Sequence, residues 1–343
     1  MRFLFTAGGS QGTVFAMAPL AVAARNAGHD VLTTVDAPLL ECAQAIGLPA
    51  VQTPHPKEAS ARLQALLEVS QDWTPDVVVG GLSYIPGLLA ASLDVLYVRQ
   101  YWDILPLRTE PGLQVELDRL GLSGAPEADL FLDVCPPGLR PSPSPTARPM
   151  RWIPRNRQGR LEPWMYTRPK DRPRVLITSG TRSLMLNTPG SSMRHLVDQL
   201  ISEGAEVVFA APEGAAEQFA GQLGDVHIGW LPLDVVAPTC DLAIHHGGGA
   251  TAVTFMNAGV AQVVIPENDY AKAIGAAAAD FGVAQLVLPA QLPEGINLSE
   301  EIAGIAQDIL STPRYQERAD ELAAHIRTLP LPSQIVLELE ELS

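Results

Sequence analysis

Short apolar runs alternate with longer stretches of helical periodicity along the chain. In the first half, residues 3–6, 31–35, 77–80 and 96–99 predict strands, and residues 14–27, 38–46, 58–70 and 86–92 predict the helices between them. The second half repeats the scheme from Arg174, with strands at 175–178, 207–210, 242–245, 263–266 and 286–288. Strands alternating with helices build a parallel sheet covered on its faces, so the pattern predicts an α/β protein of two Rossmann-like halves in tandem. Between the halves, residues 136–173 are rich in proline and poor in apolar periodicity. The expected organisation is therefore a first domain at 1–148, a linker at 149–172 and a second domain at 173–312. Residues 313–343 are expected to be helical and placed to return to the first domain. Parallel sheets bind ligands at the carboxyl ends of their strands. That rule points to the loops at 7–13, 80–84, 100–105, 179–184, 246–251 and 267–270.

Composition narrows the partners. The 343 residues are 47% hydrophobic and 18% charged, which suits a folded chain and excludes disorder. Lys and Arg number 23 against 38 Asp and Glu, a net charge of −15, and such a surface repels nucleic acid and anionic membranes. Arg and Lys gather between Arg140 and Arg174, but prolines alternate with them and no stacking platform forms, so this stretch reads as a solvated connector. Cys42, Cys135 and Cys240 lack metal-ligand spacing, and neither a zinc site nor a disulfide framework is expected. A reducing, cytoplasmic setting fits that usage. The apolar N-terminal run is too short for a secretory signal, and no run approaches the roughly 18 residues of a spanning helix. Oligomeric state stays open, with a homodimer as one option.

The densest candidate chemistry lies between Asp241 and Thr251. His245 and His246 end a strand, Gly247, Gly248 and Gly249 turn the chain, and a helix begins near Ala250. Glycines let backbone N–H groups approach a diphosphate, and the positive end of the new helix, at Gly248, Gly249, Ala250 and Thr251, points to the same spot. Trp230, beside Leu231, offers an aromatic plane one strand away for a base, while His246 is placed to hold phosphate. The plain alternatives are a glycine turn with structural histidines and a tryptophan that fills the core.

Other loops carry weaker signals. After the first strand of the second half, Ser179, Gly180 and Thr181 can donate to a diphosphate and Arg182 can add charge, although a Ser/Thr turn reads the same way. Asp269, in Pro266-Glu-Asn-Asp269, is a carboxylate placed at a strand end to accept from ligand hydroxyls. Tyr84 and Tyr101 are candidates to shape a binding cleft, while His29 reads as structural. Ala7-Gly8-Gly9-Ser-Gln-Gly12, with Asp36 further on, is loosely like a dinucleotide fingerprint. Its glycine spacing is imperfect and no hydride-transfer constellation accompanies it, which leaves an NAD-dependent oxidoreductase a minor reading.

The segment Gly229-Trp-Leu-Pro-Leu-Asp-Val-Val-Ala-Pro-Thr-Cys-Asp241, followed by Ile-His-His-Gly-Gly-Gly-Ala-Thr251, resembles the donor-binding signature of GT-B nucleotide-sugar glycosyltransferases acting on bacterial natural products. Phe131-Leu-Asp-Val-Cys-Pro-Pro-Gly-Leu-Arg140, Arg148-Pro-Met-Arg151 and Leu161-Glu-Pro-Trp-Met-Tyr-Thr-Arg168 extend the resemblance over most of the chain. Gly9-Ser10, Thr13-Val-Phe-Ala, Ala23-Ala-Arg-Asn-Ala-Gly-His29 and Arg99-Gln-Tyr-Trp-Asp103 are similar to the angucycline olivosyltransferases of urdamycin and landomycin type. The resemblance implies two Rossmann-like domains facing across a cleft, with Ser10, Thr13, Tyr84, Tyr101 and Trp102 lining the acceptor side. It also implies inverting transfer of a deoxysugar, D-olivose, from a dTDP-sugar to an aromatic polyketide. The dTDP-sugar is a co-substrate, and no metal or other cofactor is expected.

One departure bears on mechanism. Many members of this family have a histidine base in the first glycine loop; here the position holds Thr13, whose hydroxyl is far too weak. The resemblance offers Asp103, in Tyr101-Trp102-Asp103, instead. A free carboxylate near ~3.9 is a poor base for a phenol near ~10, but burial beside Trp102 would raise it. The plain alternative is a helix cap or loop carboxylate. A base at Asp103 with no loop histidine implies C-glycosylation of urdamycin type; O-glycosylation of landomycin type is the close rival. A catalytically silent partner with this fold is the third class. Residues 53–72 and 103–116 are short beside the family, and His55 is given no role.

Overall fold

The computed structural model of the protein describes residues 1–81, 83–102, 104–105, 112–140, 146–178, 193–219, 223–224 and 226–342. The chain divides into two compact units, one of residues 1–135, 141–157 and 328–343, the other of residues 136–140 and 158–327.

In the first unit the elements follow as β1 (Arg2–Thr6), α1 (Gln11–Asn26), β2 (Asp30–Val35), α2 (Leu40–Ala45), β3 (Ala50–Gln52), α3 (Ala59–Asp72), β4 (Val77–Gly80), α4 (Ile85–Leu93), β5 (Leu96–Tyr101), α5 (Leu113–Leu120), β6 (Leu130–Asp133) and β7 (Ala147–Pro149). The parallel sheet has the order β3-β2-β1-β4-β5-β6-β7. Phe3, Leu4 and Phe5 in β1, and Val77, Val78 and Val79 in β4, are fully buried. A central parallel strand is covered on both faces, so its sequence is apolar without alternation.

The second unit contains α6 (Pro163–Tyr166), β8 (Arg174–Thr178), α7 (Met193–Ser202), β9 (Glu206–Ala210), α8 (Glu213–Phe219), β10 (His227–Gly229), α9 (Leu233–Val236), β11 (Leu242–His245), α10 (Gly249–Ala258), β12 (Ala261–Val264), α11 (Asp269–Phe281), β13 (Ala284–Leu286), α12 (Leu298–Ser311) and α13 (Pro313–Arg327). Its sheet runs β10-β9-β8-β11-β12-β13, again parallel. The expected α/β class with two Rossmann-like halves is what the structure has. No helix among the described residues is long and apolar enough to cross a membrane.

Several boundaries differ from the sequence reading. The edge strands β3, β7 and β10 have three residues of mixed polarity each and give no apolar run, and β7 even ends on Pro149, which an edge tolerates; β6, Leu130-Phe131-Leu132-Asp133, is a short apolar run outside the expected strands. The last strand is Ala284–Leu286 rather than 286–288. The linker is divided: residues 149–157 belong to the first unit and 158–172 to the second. In the second unit the buried Arg174 guanidinium donates to the Trp164 and Thr167 carbonyls and to Thr239 Oγ1 at 2.6 Å, tying the proline-rich stretch down. The C-terminal helices also part. The helix α13 stays with the second unit, packed on α10 through a face that buries Tyr315, Ala319, Leu322 and Ile326. The following α14 (Pro332–Leu342) packs on α1 in the first unit. His29 Nε2 meets Glu340 at 2.8 Å and Arg148 pairs with Glu338, so the structural role read for His29 is to hold this helix.

Candidate functional site

In the second sheet the connections wind to one side through β8-β9-β10 and to the other through β11-β12-β13. The order reverses between β8 and β11, where loops leaving in opposite directions open a crevice at the strand carboxyl ends. On β11, His245 pairs in register with Thr178 of β8 and with Val264 of β12. The His246-Gly247-Gly248 turn and the start of α10 therefore sit at the switch point. The loop that leaves β8 carries Ser179, Gly180, Thr181 and Arg182, which lie outside the described residues.

Local geometry explains the glycines. Gly247 has φ +81°, a left-handed conformation that side chains disfavour, and a Cβ there would come within 2.9 Å of Ala271 Cβ. Gly248 is the N-cap of α10, and a Cβ on it would lie 2.5 Å from His246 Nε2. His246 thus lies against the backbone of the turn. His246, Gly248, Gly249, Ala250 and Thr251 are all half-buried, and the first turn of α10 holds no acidic side chain. Unsatisfied N–H groups and an uncompensated positive helix end suit an anion.

Asp269 is the exposed first residue of α11, after Asn268, whose Oδ1 accepts the Ala271 N–H at 2.9 Å. This helix follows β12, the neighbour of β11, so Asp269 flanks the same edge. Two contributors were missed. Tyr270 Oη lies 3.5 Å from the point a Gly249 Cβ would take. His245 is buried, with Nδ1 facing the Gly247 N–H at 3.0 Å and Nε2 facing Gln262 Oε1 at 2.7 Å. No spacing rule joins Gln262 to His245, because only the pairing of β11 with β12 brings them together.

Trp230 needs correction. It follows β10 at the sheet edge, and β9 and β8 intervene before β11, so it is not one strand from the glycine turn. Its ring is half-buried. The Leu231 side chain is 5% exposed in an apolar cluster with Leu233, Val236, Ala237 and Cys240, which leaves only its backbone for a ligand.

In the first unit β1, β4 and β5 are neighbours, and their carboxyl ends carry Ser10 and Thr13, Tyr84, and Tyr101 and Trp102 respectively. Thr13 Oγ1 accepts the Gly8 N–H at 3.1 Å and lies 2.8 Å from the Gly8 carbonyl and 2.7 Å from that of Ser10. Its hydroxyl is consumed by the turn it sits in. Ser10, Tyr84 and Tyr101 are half-buried, while Trp102 is 3% exposed and packs inside. Asp103 lies outside the described residues. Asp36, the residue loosely like a ribose-binding acid, is buried and accepts the Gly9 N–H at 2.8 Å. Beside it the buried Arg62 donates to the Ala7 carbonyl at 2.7 Å and the Pro54 carbonyl at 2.8 Å. Desolvation lowers the Arg62 guanidinium to about 10, against the opposing pull of Asp36. Asp36 thus braces the loop rather than facing a ribose, which removes the dinucleotide reading its main support.

Residues 194–342 match the family model of the erythromycin biosynthesis protein CIII-like C-terminal domain. The L-demethylnoviosyl transferase of Streptomyces niveus is 33% identical over 307 residues, covering 78% of this chain and 79% of that protein. The elloramycin glycosyltransferase ElmGT of Streptomyces olivaceus is 28% identical over 82% of this chain and 72% of its own length. Among solved structures, the Streptomyces sp. SF2575 glycosyltransferase SsfS6 in complex with thymidine diphosphate has a TM-score of 0.83 and 26% identity, covering 99% of both chains.

Proposed function

The chain belongs to the natural-product glycosyltransferases of GT-B type, and from that premise we propose that it moves a deoxysugar from a dTDP-sugar to an aromatic polyketide. The observation that carries the donor half is the His246-Gly247-Gly248 turn and the uncompensated α10 N-terminus at the β8/β11 switch point, an anion site on the unit that matches the family model. His246 and the helix end would stabilise the diphosphate as negative charge develops on it, with no metal taking part.

For the acceptor half, the commitment of the Thr13 hydroxyl to its own turn supports a base elsewhere than in the first glycine loop. Asp103, next to the buried Trp102, is the proposed base. It takes the proton of a phenol; the ring carbon ortho to that oxygen attacks the anomeric carbon, the bond from that carbon to the diphosphate oxygen breaks with its electron pair, and configuration inverts. The hydrogen on the attacked ring carbon is then lost as a proton to solvent, which restores the aromatic ring, while the phenolic oxygen regains its proton from Asp103. The proposed product is a C-glycoside of D-olivose on an angucycline-type acceptor, as the Arg99-Gln-Tyr-Trp-Asp103 resemblance suggests. O-glycosylation of the same acceptor is the second reading, since the phenolate oxygen freed by the same base is itself a nucleophile.

The test is incubation with a panel of dTDP-deoxysugars and angucycline aglycones, followed by acid treatment of the product. A product that resists acid is the C-glycoside; one that is cleaved is the O-glycoside. No transfer from any dTDP-sugar while dTDP still binds would leave a silent partner. Asp103→Asn should abolish transfer without weakening dTDP binding, and unchanged turnover would remove Asp103 from the base role.

A further inference from the structure

Gly247 N–H is a donor by chemistry, so His245 Nδ1, 3.0 Å away, must present its lone pair. The single proton of a neutral imidazole then sits on Nε2 and is donated to Gln262 Oε1 at 2.7 Å. All three groups are buried. The amide of Gln262 is oriented by this contact alone: its Nε2 is buried with no hydrogen-bond partner among the described residues. A buried amide nitrogen left unsatisfied costs stability, and an apolar pair in these two positions would pack without that cost. What the polar pair supplies and an apolar pair cannot is an acceptor aimed at the backbone of the glycine turn.

We propose that His245 is a positioning residue for the departing diphosphate: its Nδ1 fixes the Gly247 peptide, and Gln262, from the neighbouring strand, fixes which nitrogen does so. The inference rests on the donor reading given above. Gly247 stands between the ring that packs on the turn, His246, and the helix end that follows, Gly248 and Gly249, so its peptide orientation sets both relative to β11. Stacking of His245 on Phe255 of α10, with ring centroids 5.9 Å apart, couples the same imidazole to the helix.

The experiment compares Gln262→Leu, His245→Phe and His245→Asn with the wild type, measuring thermal stability and affinity for dTDP and for dTMP by calorimetry. Gln262→Leu removes the unsatisfied amide but strands the buried His245 Nε2–H and frees the tautomer, so its melting temperature should fall by only a few degrees while dTDP binding weakens roughly tenfold, the loss of one buried hydrogen bond. Affinity for dTMP, which lacks the second phosphate, should change little. His245→Asn keeps an acceptor near the Nδ1 position and should restore dTDP binding relative to His245→Phe. In the wild type, imidazole 15N shifts should report a protonated Nε2 and an unprotonated Nδ1 at neutral pH. Unchanged dTDP affinity in Gln262→Leu and His245→Phe overturns the proposal, as does equal loss in the Asn and Phe variants or equal loss for dTMP. If the wild type binds no dTDP, the donor reading itself falls and this proposal with it.

Discussion

His246 and Gly248 compete for one place: the imidazole Nε2 lies 2.5 Å from where a Cβ on Gly248 would stand. The glycine is needed for the close approach rather than for its dihedrals, since φ −60° and ψ 132° are open to any residue. Gly248→Ala should therefore fold normally and displace His246 from the turn. We expect a loss of turnover of at least tenfold, as when one oxyanion-type contact is removed, with the melting temperature within a few degrees of wild type. Steady-state kinetics beside a thermal melt check it; full activity would mean that the place of His246 on the turn is unimportant.

Thr13 gives a prediction of the opposite kind. Its hydroxyl is held by Gly8 and Ser10, so it stabilises the first loop and does no chemistry. Thr13→Ser should keep stability and turnover near wild type. Thr13→Val leaves the Gly8 N–H without its acceptor and should cost about 1–3 kcal/mol in denaturant unfolding. A Ser variant with wild-type stability but no transfer would show that the methyl group, not the hydroxyl, matters to the acceptor.

The strands that carry the site were legible for the reason that they carry it. Central parallel strands such as Phe3-Leu4-Phe5 and Leu242-Ala243-Ile244 are buried on both faces and read as unbroken apolar runs. The glycine turn after His246 was legible because positive φ and close approach both select glycine. What could not be read depends on partners far along the chain. Gln262 meets His245 only through strand pairing, and Asp36 meets Gly9 across 27 residues. Sequence adjacency of Trp230 to β11 misled for the same cause: β10 and β11 follow one another in the chain and lie three places apart in the sheet.

The loop brace in the first unit predicts an asymmetry between single and double variants. Asp36 Oδ1 and Arg62 Nη1 both lie within 3.0 Å of the point a Gly8 Cβ would take. Asp36→Ala leaves the buried guanidinium without its counter-charge and should cost about 3–5 kcal/mol. Combining it with Arg62→Met should recover part of that, leaving the lost hydrogen bonds to Ala7 and Pro54. Urea unfolding of the wild type, the two single variants and the double variant decides the matter; strictly additive effects would mean that the two charges do not interact.

Burial pushes the thiol of Cys42 up to about 11 and that of Cys240 up to about 12, and Cys135 is buried as well. The thiolate is the reactive form. In the folded protein at pH 8 none of the three should react with a disulfide reagent on the timescale of minutes, and all three should react on unfolding. Fast reaction of a native thiol would show that one of these clusters opens.

The buried imidazole of His245 sets a pH dependence of stability whose sign can be worked out. Desolvation, and then the neighbouring His246, push it from 6.5 down to about 3, against the hydrogen bond to Gln262 Oε1. Above 6.5 the ring is neutral in both the folded and unfolded chain and contributes nothing to the pH slope. Below 6.5 the unfolded chain binds a proton at this position while the folded chain does not, so stability falls with falling pH until about 3, where the folded form also charges. Across that window the slope from this one group approaches roughly 1.4 kcal/mol per pH unit. His245→Asn removes the titrating ring but keeps a polar acceptor beside Gly247. Its stability, from urea unfolding at pH 7, 5.5 and 4.5, should fall less steeply than that of the wild type below 6.5 and run parallel to it above. Parallel curves through the whole range would mean that the imidazole takes up its proton in the folded state as readily as in the unfolded one. The Nε2–H tautomer facing Gln262 would then not be the form that holds the turn.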